Sequence, residues 1–354
     1  MIPSCTRTLL VLILLLAGSP VHAGPVPYGL LHVETHSDAF PVRDLIRGIG
    51  RQFRPGEQHV GFGRAESGVS FGRAHLGLLY RYEVFAHSSR SASELIWRSE
   101  TDQDIPAGRY WPLRLAISHV AMHGVTAGYL FRPTASLTLS GNMQLLKATE
   151  MIDGHVNGAI ATDAADYQGQ ARLQYFYTRD ALWERPTNRR YGTGLALDMK
   201  LRWRPNARHE VSLELLDALN GIYWRQMYYT RAWLTTDRIS YDSDGQLDVR
   251  AAMTGYEGNS SHWQRLPVKA YLRWHGDLAG RRLGAEVLWV DDYRDVRLRY
   301  YVTRWPGAYV AATAEGAVGL GYQRGSLALA LQLDAAPKLA RTFTLGIAWQ
   351  PPGR

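Results

Sequence analysis

The sequence predicts an all-β chain, an antiparallel transmembrane β-barrel of about 12–16 strands. Three observations point there. Apolar residues alternate with small or charged ones over many long stretches, tryptophans fall near the ends of those stretches on the apolar parity, and no segment after the amino terminus is apolar enough for a spanning helix. The clearest stretch runs from Tyr191 to Trp203. Odd positions carry Tyr191, Thr193, Leu195, Leu197, Met199, Leu201 and Trp203, and even positions carry Gly192, Gly194, Ala196, Asp198, Lys200 and Arg202. A strand of period 2 turns these sets to opposite faces. Roughly 9–11 residues of tilted strand cross a bilayer, and an aromatic residue at each end suits the two interfaces. A long half-buried strand of a soluble sandwich shows the same alternation, so the remaining strands decide between the two.

The amino terminus carries Arg7, an apolar run from Leu9 to Leu16, and the small-residue pattern Val21-His22-Ala23. This is the layout of a secretory signal peptide cleaved after Ala23. The only cysteine, Cys5, precedes the apolar run and is lost with it. The exported chain therefore has no disulfide framework. Its formal charge of +8 falls by one when Arg7 leaves, and this basic balance favours anionic partners: lipopolysaccharide, anionic solutes or acidic polysaccharide. Nucleic acid is not expected as a partner of an exported chain without a clustered basic helix.

Val26 to His36 reads as a first strand, with Pro27 confining it to an edge or a late start. Val42, Leu45, Ile46 and Ile49 follow at helical spacing between Pro41 and Gly48 or Gly50, so a short helix or plug segment is expected there. The organisation predicted is thus a signal peptide at 1–23, an N-terminal strand with a short helix or plug at 24–55, and the barrel at 56–354. Gly61-Phe62-Gly63-Arg64-Ala65 and Ser70-Phe71-Gly72-Arg73-Ala74 form a near-repeat and read as two similar strand segments. Leu76, Leu78, Tyr80, Tyr82 and Val84 continue the alternation. Ser89 to Ala107 is polar and reads as a loop, with a short strand near Leu95-Ile96-Trp97.

Thr126 to Phe131, the turn Arg132-Pro133-Thr134, and a return strand through Leu137, Leu139, Met143 and Leu145 make a hairpin. Tyr167 to Tyr177 alternates again, and Trp203-Arg204-Pro205-Asn206 closes a second hairpin onto Val211, Leu213 and Leu215. Between Ala218 and His262 the alternation is lost, and this region is assigned to long external loops. Leu266 to Trp274, Leu283 to Trp289, Val296 to Val302, Leu327 to Leu333 and Phe343 to Trp349 resume it.

Signal peptide, cysteine-free alternating strands and the terminal Phe343–Trp349 strand together resemble bacterial outer-membrane β-barrel proteins as a class. The resemblance spans nearly the whole mature chain and implies outer-membrane residence, contact with outer-membrane lipid and lipopolysaccharide, and insertion by the barrel-assembly machinery. Such proteins typically end on an aromatic residue, whereas Gln350-Pro351-Pro352-Gly353-Arg354 follows Trp349 here. Tyr191, Trp203, Trp274, Trp289 and Trp349 are the expected membrane-interface aromatics.

The opposite parity carries Lys200, Arg202, Lys269, Arg273, Arg282, Arg297 and Arg299, the candidate anion-binding residues of the lumen. Rings of Arg and Lys favour anions in a water-filled pore, which supports a channel or export conduit. Arg297 and Arg299 share their inward face with one carboxylate, Asp295. A lumen packed with Arg–carboxylate pairs is the competing reading, giving a closed scaffold barrel that works through its loops. Surface lipid hydrolysis has thin support: His87-Ser88 and Ser260-Ser261-His262 supply residue types without a third group. Neither metal-ligand spacing nor a phosphate-cradling loop is present, so no metal, cofactor or catalytic residue is expected.

Overall fold

The structure, a computed structural model, describes residues 24–163, 167–180, 182–236, 239–241, 247–249 and 253–349. The signal segment at 1–23, residues 242–246 of the region assigned to external loops, and the tail at 350–354 lie outside the described residues. The strands are β1 (Val26–Ser37), β2 (Gln58–Phe71), β3 (Ala74–Ser88), β4 (Arg109–Phe131), β5 (Leu137–Thr162), β6 (Tyr167–Tyr177), β7 (Gly192–Asn206), β8 (His209–Thr235), β9 (Ile239–Tyr241), β10 (Leu247–Val249), β11 (Met253–Gln264), β12 (Lys269–Leu278), β13 (Arg281–Val290), β14 (Tyr293–Tyr301), β15 (Ala308–Thr313), β16 (Val318–Arg324), β17 (Leu327–Leu333) and β18 (Thr342–Trp349); α1 (Val42–Arg47) and α2 (Arg90–Glu100) are the helices.

Fourteen strands close an antiparallel barrel. The order runs β1 to β5, then β7, β8 and β12 to β18, and β18 returns to β1 from Gly29↔Trp349 to His36↔Thr342. The N-terminal strand is therefore a stave of the barrel rather than a separate segment. Pro27 sits two residues before the pairing with β18 begins and is matched only to Val69 of β2. Its missing N–H thus costs the ladder nothing.

Strands β6 and β11 add a second tier. β6 pairs with residues 152–162 of β5 and 228–235 of β8, directly beyond β7, which pairs with 137–148 and 211–224. β11 likewise stands beyond β12 along β8. Because β4, β5 and β8 run to 23, 26 and 27 residues, they far exceed what a bilayer crossing needs. The excess makes a five-stranded sheet, β4-β5-β6-β8-β11, that rises past the rest of the barrel. The expected loops between Ala218 and His262 are in large part these strands. The alternation fails there because β8 bulges at Asp217 and Gln226, both with positive φ: the first sets an extra inward residue between Leu215 and Leu219, and the second swaps the faces.

Tight turns gather at the end where β1 begins and β18 finishes. Gly72, Gly280 and Gly325 take positive φ there, as two-residue hairpins require. Pro133 and Pro205 lie at this same end, and the long connections 38–57, 89–108 and 178–191 lie at the other. The near-repeat divides accordingly: its first copy is inside β2 and its second bends around the β2–β3 turn. Pro41 and Gly48 bracket α1 as the spacing predicts. The loop expected from Ser89 contains α2 instead. Ser89 caps it by accepting from the Ala92 N–H at 3.2 Å, and Glu94 binds Arg98 one turn on. Leu95 of the apolar run is buried with Ala92 and Ser93, and Trp97 stacks on Phe53 at 5.0 Å.

The outer parity is a continuous apolar belt. Leu78, Leu298 and Leu320 are 66%, 61% and 69% exposed. Trp203, Trp274 and Trp349 edge it at the short-turn end, and Trp289 and Tyr191 at the opposite one. No soluble barrel keeps so much apolar surface in water, and a closed sheet is the one β structure that hydrocarbon tolerates.

Candidate functional site

The inner parity carries the charges. Asp217 occupies the first β8 bulge, where a positive φ turns its carboxylate into the lumen. Arg81 of β3 donates to Asp217 from Nη1 at 2.8 Å and from Nη2 at 2.5 Å, and to the Gln144 amide oxygen at 2.8 Å. Lys269 of β12 donates from Nζ to Asp217 and to Glu83, both at 2.6 Å. Gln144 passes the network on to Asp198 at 2.6 Å, which also receives the Asp217 backbone N–H at 2.9 Å and Arg64 at 2.6 Å. Arg64 pairs as well with Glu66, which accepts from the Tyr28 hydroxyl at 2.6 Å.

A second cluster faces this one. Arg273 binds Glu286 at 2.5 Å and also Glu214. Arg297 binds Asp295 at 2.6 Å, Glu286 at 3.2 Å and Glu34 of β1, while Arg299 reaches Glu286 at 3.0 Å. Nearer the short turns, Lys200 faces Glu214 at 3.8 Å and Arg202 faces Glu210 at 3.6 Å. Every one of these lumen cations has a carboxylate partner, so the lumen is close to charge-balanced. That corrects the expectation of an under-compensated pair at Arg297 and Arg299. One strand shows only its own neighbours, whereas Glu286 comes from the paired strand β13 and Glu34 from β1. Asp217, Glu34 and Glu66 were not singled out by the alternation. For Asp217 the signal was the break in period after Leu215.

A cavity of about 450 Å³ lies between these clusters and the opposite wall, where Ala328, Ala330, Gly346 and Ala348 present almost no side chain. It extends inward as far as Arg81, Glu83, Lys269 and Arg297. Beyond them, two apolar clusters occupy the interior: Met122, Met151, Ile222, Trp224 and Met227 on one side, and Phe62, Phe85, Leu288 and Tyr293 on the other. Burial here is extreme, with Lys269 1% and Trp224 0% exposed. Arg282 takes no part in the lumen clusters. It lies at the short-turn mouth over the Tyr301 ring, 5.2 Å away, in an open hollow shared with Arg208, Arg324 and Asp277.

The serines and histidines of the hydrolase reading do not converge. Ser88 is buried against Ser93 at 2.6 Å, with the His59 ring at 3.5 Å, and these two serines and His59 are enclosed in the loop packing. Ser261 accepts from Tyr223 at 3.1 Å, whereas His262 turns to Asp153 at 2.7 Å. Among the described residues no three His, Cys, Asp or Glu side chains are grouped to hold a metal ion.

No protein-family model and no curated protein matches the chain. Among solved structures it is similar to a Pseudomonas aeruginosa FadL homologue, at 12% identity over 92% of this chain and 86% of that one, with a TM-score of 0.36. It is also similar to the P. putida toluene transporter TodX, at 10% identity over 93% and 89% with a TM-score of 0.39. The outer-membrane transporter YddB from Escherichia coli is 9% identical over 90% of this chain and 55% of its own length, with a TM-score of 0.20.

Proposed function

We propose that the chain is an outer-membrane β-barrel conduit held shut by its ion-pair layer and the apolar clusters behind it, with small anionic solutes gathered at the short-turn mouth. The observation that carries this reading is the charge-lined cavity of about 450 Å³, which opens the lumen from the short-turn end as far as Arg81, Glu83 and Lys269. A barrel serving only as a frame gains nothing from a charge-lined cavity at its centre, since an apolar filling would cost less than buried charge. Arg208, Arg282 and Arg324 against Asp277 give the mouth a positive field that concentrates anions. The paired lumen beyond it is the barrier. Anion preference therefore resides in the mouth and not in a free ring of Arg297 and Arg299.

Planar-bilayer recording of the mature protein tests this. Wild-type barrels are expected to be shut for most of the time, and Asp217→Asn, which removes one of the two carboxylates that join Arg81 to Lys269, to lengthen openings. Reversal potentials under a salt gradient should favour anions, and Arg282→Glu/Arg324→Glu should lower that preference. Persistent silence of wild type and Asp217→Asn, both correctly folded, would reject the conduit. A second reading then stands, a closed barrel that displays its projecting sheet, supported by the apolar clusters that fill the lumen beyond Lys269.

A further inference from the structure

We infer that the inner face of the projecting sheet is a binding site for an acidic oligosaccharide. This site is separate from the lumen, and its test does not depend on conduction.

Register places three cross-strand rows on this face. Arg114, Asn157, Arg172 and Trp233 stand opposite one another on β4, β5, β6 and β8. The next row inward holds His155, Gln174, Arg231 and Tyr256, with Tyr256 on β11. The third holds Asp153, Phe176 and Tyr229.

Rings run through these rows as a chain. His262 stacks on Phe176 at 4.1 Å, Phe176 meets Tyr229 at 4.6 Å, and Tyr229 meets Tyr256 at 6.2 Å. Trp233 and Tyr256 remain 41% and 59% exposed. Large rings left in water in a tier beyond the apolar belt are not lipid contacts. They are flat platforms of the kind on which the C–H faces of sugars pack.

Charge selects among sugars. Arg114, Arg172 and Arg231 all stand exposed on this face. Its one carboxylate in these rows, Asp153, is held by His262 at 2.7 Å. Arg231 already donates to the Gln174 amide oxygen at 3.2 Å, which fixes one edge of its guanidinium and leaves donors over for a planar carboxylate. Five strands at about 4.8 Å spacing span roughly 19 Å, room for several linked sugars rather than one.

The test is titration of the full-length, detergent-folded protein with tetragalacturonate, with maltotetraose as the neutral counterpart and anionic phospholipid vesicles as the lipid counterpart. Tetragalacturonate is expected to bind, to weaken as salt is added, and to lose roughly tenfold in affinity in each of Arg172→Gln, Arg231→Gln and Trp233→Ala. Arg172→Lys and Trp233→Phe keep the charge and the ring and should stay within a few-fold of the parent. Arg132→Gln, in the exposed β4–β5 turn at the opposite end, should leave binding unchanged. Equal binding of maltotetraose, insensitivity to all three substitutions in folded protein, or binding of vesicles without tetragalacturonate would overturn the assignment.

Discussion

Asp217 is bound at once by Arg81 at 2.5 Å and Lys269 at 2.6 Å, and it does so from a backbone conformation that an aspartate rarely adopts. A regular strand would point residue 217 at lipid. The bulge in β8 turns it inward and so joins β3, β8 and β12 across the lumen.

Removing that carboxylate leaves Arg81 and Lys269 with Glu83 alone between them, one buried positive charge in excess. Asp217→Ala should therefore destabilise the barrel by about 3–5 kcal/mol. Lys269→Met in the same background should restore part of the loss, because that excess charge is then gone. Urea titrations in detergent, followed by the mobility shift between folded and heated barrel, measure both. A loss under about 1 kcal/mol for Asp217→Ala would mean that water already reaches and screens the layer.

The apolar belt makes a depth-dependent prediction. Leu298 lies mid-strand in β14 and faces outward, while Trp203 is at the belt's short-turn edge. Leu298→Arg is expected to cost about 2–4 kcal/mol in lipid and Trp203→Arg about 0–1 kcal/mol from charge alone. Equal costs in a folding assay with lipid vesicles would place the bilayer elsewhere on the barrel.

Helix α2 depends on one hydroxyl at its start. Ser89 accepts the Ala92 N–H and donates to the Pro112 carbonyl at 2.7 Å, tying the helix to β4. Ser89→Ala should lower local stability by about 1 kcal/mol. Trypsin cleavage at Arg90 and Arg98 reads this out, and the variant should be cut several-fold faster than the parent.

The segment following β6 has a built-in acid dependence. Burial pushes the Asp180 carboxyl up, but hydrogen bonds from Arg185 and Tyr175 and from the Trp183 and Leu182 backbone outweigh it and hold the group down at about 2. A depressed carboxylate contributes stability above its unfolded value of 3.8 and loses it as pH falls through about 2. Hydrogen exchange in residues 178–190, corrected for intrinsic rates, should thus be constant from pH 7 to about pH 5 and rise at lower pH. Asp180→Asn should show the faster exchange already at pH 7.

Where one rule governed, the fold could be read directly. Parity assigned Lys200, Arg202, Lys269, Arg273, Arg297 and Arg299 to the face that the register gives them, because a paired strand cannot rotate one residue without rotating all. It put Arg282 on the same face but could not show that its long side chain sits at the mouth. The β8 extension stayed hidden because the bulge at Asp217 interrupts the alternation and that at Gln226 swaps its faces, and α2 because its apolar run is shorter than a helical period. Pairing across the lumen was not legible at all. Glu34 and Arg297 are far apart in sequence and meet only after closure.

That closure also sets the order of events in folding. The seam between β1 and β18 joins the two ends of the chain, as in the contact between His36 and Thr342, 306 residues apart. None of its eight cross-strand pairs can form until the last strand has arrived. Contacts of such separation demand the largest loop-closure entropy before any of them is rewarded, so spontaneous refolding must be slow. Until it ends, both β1 and β18 have bare edges, and a nascent barrel lives or aggregates by whatever covers those edges in the meantime.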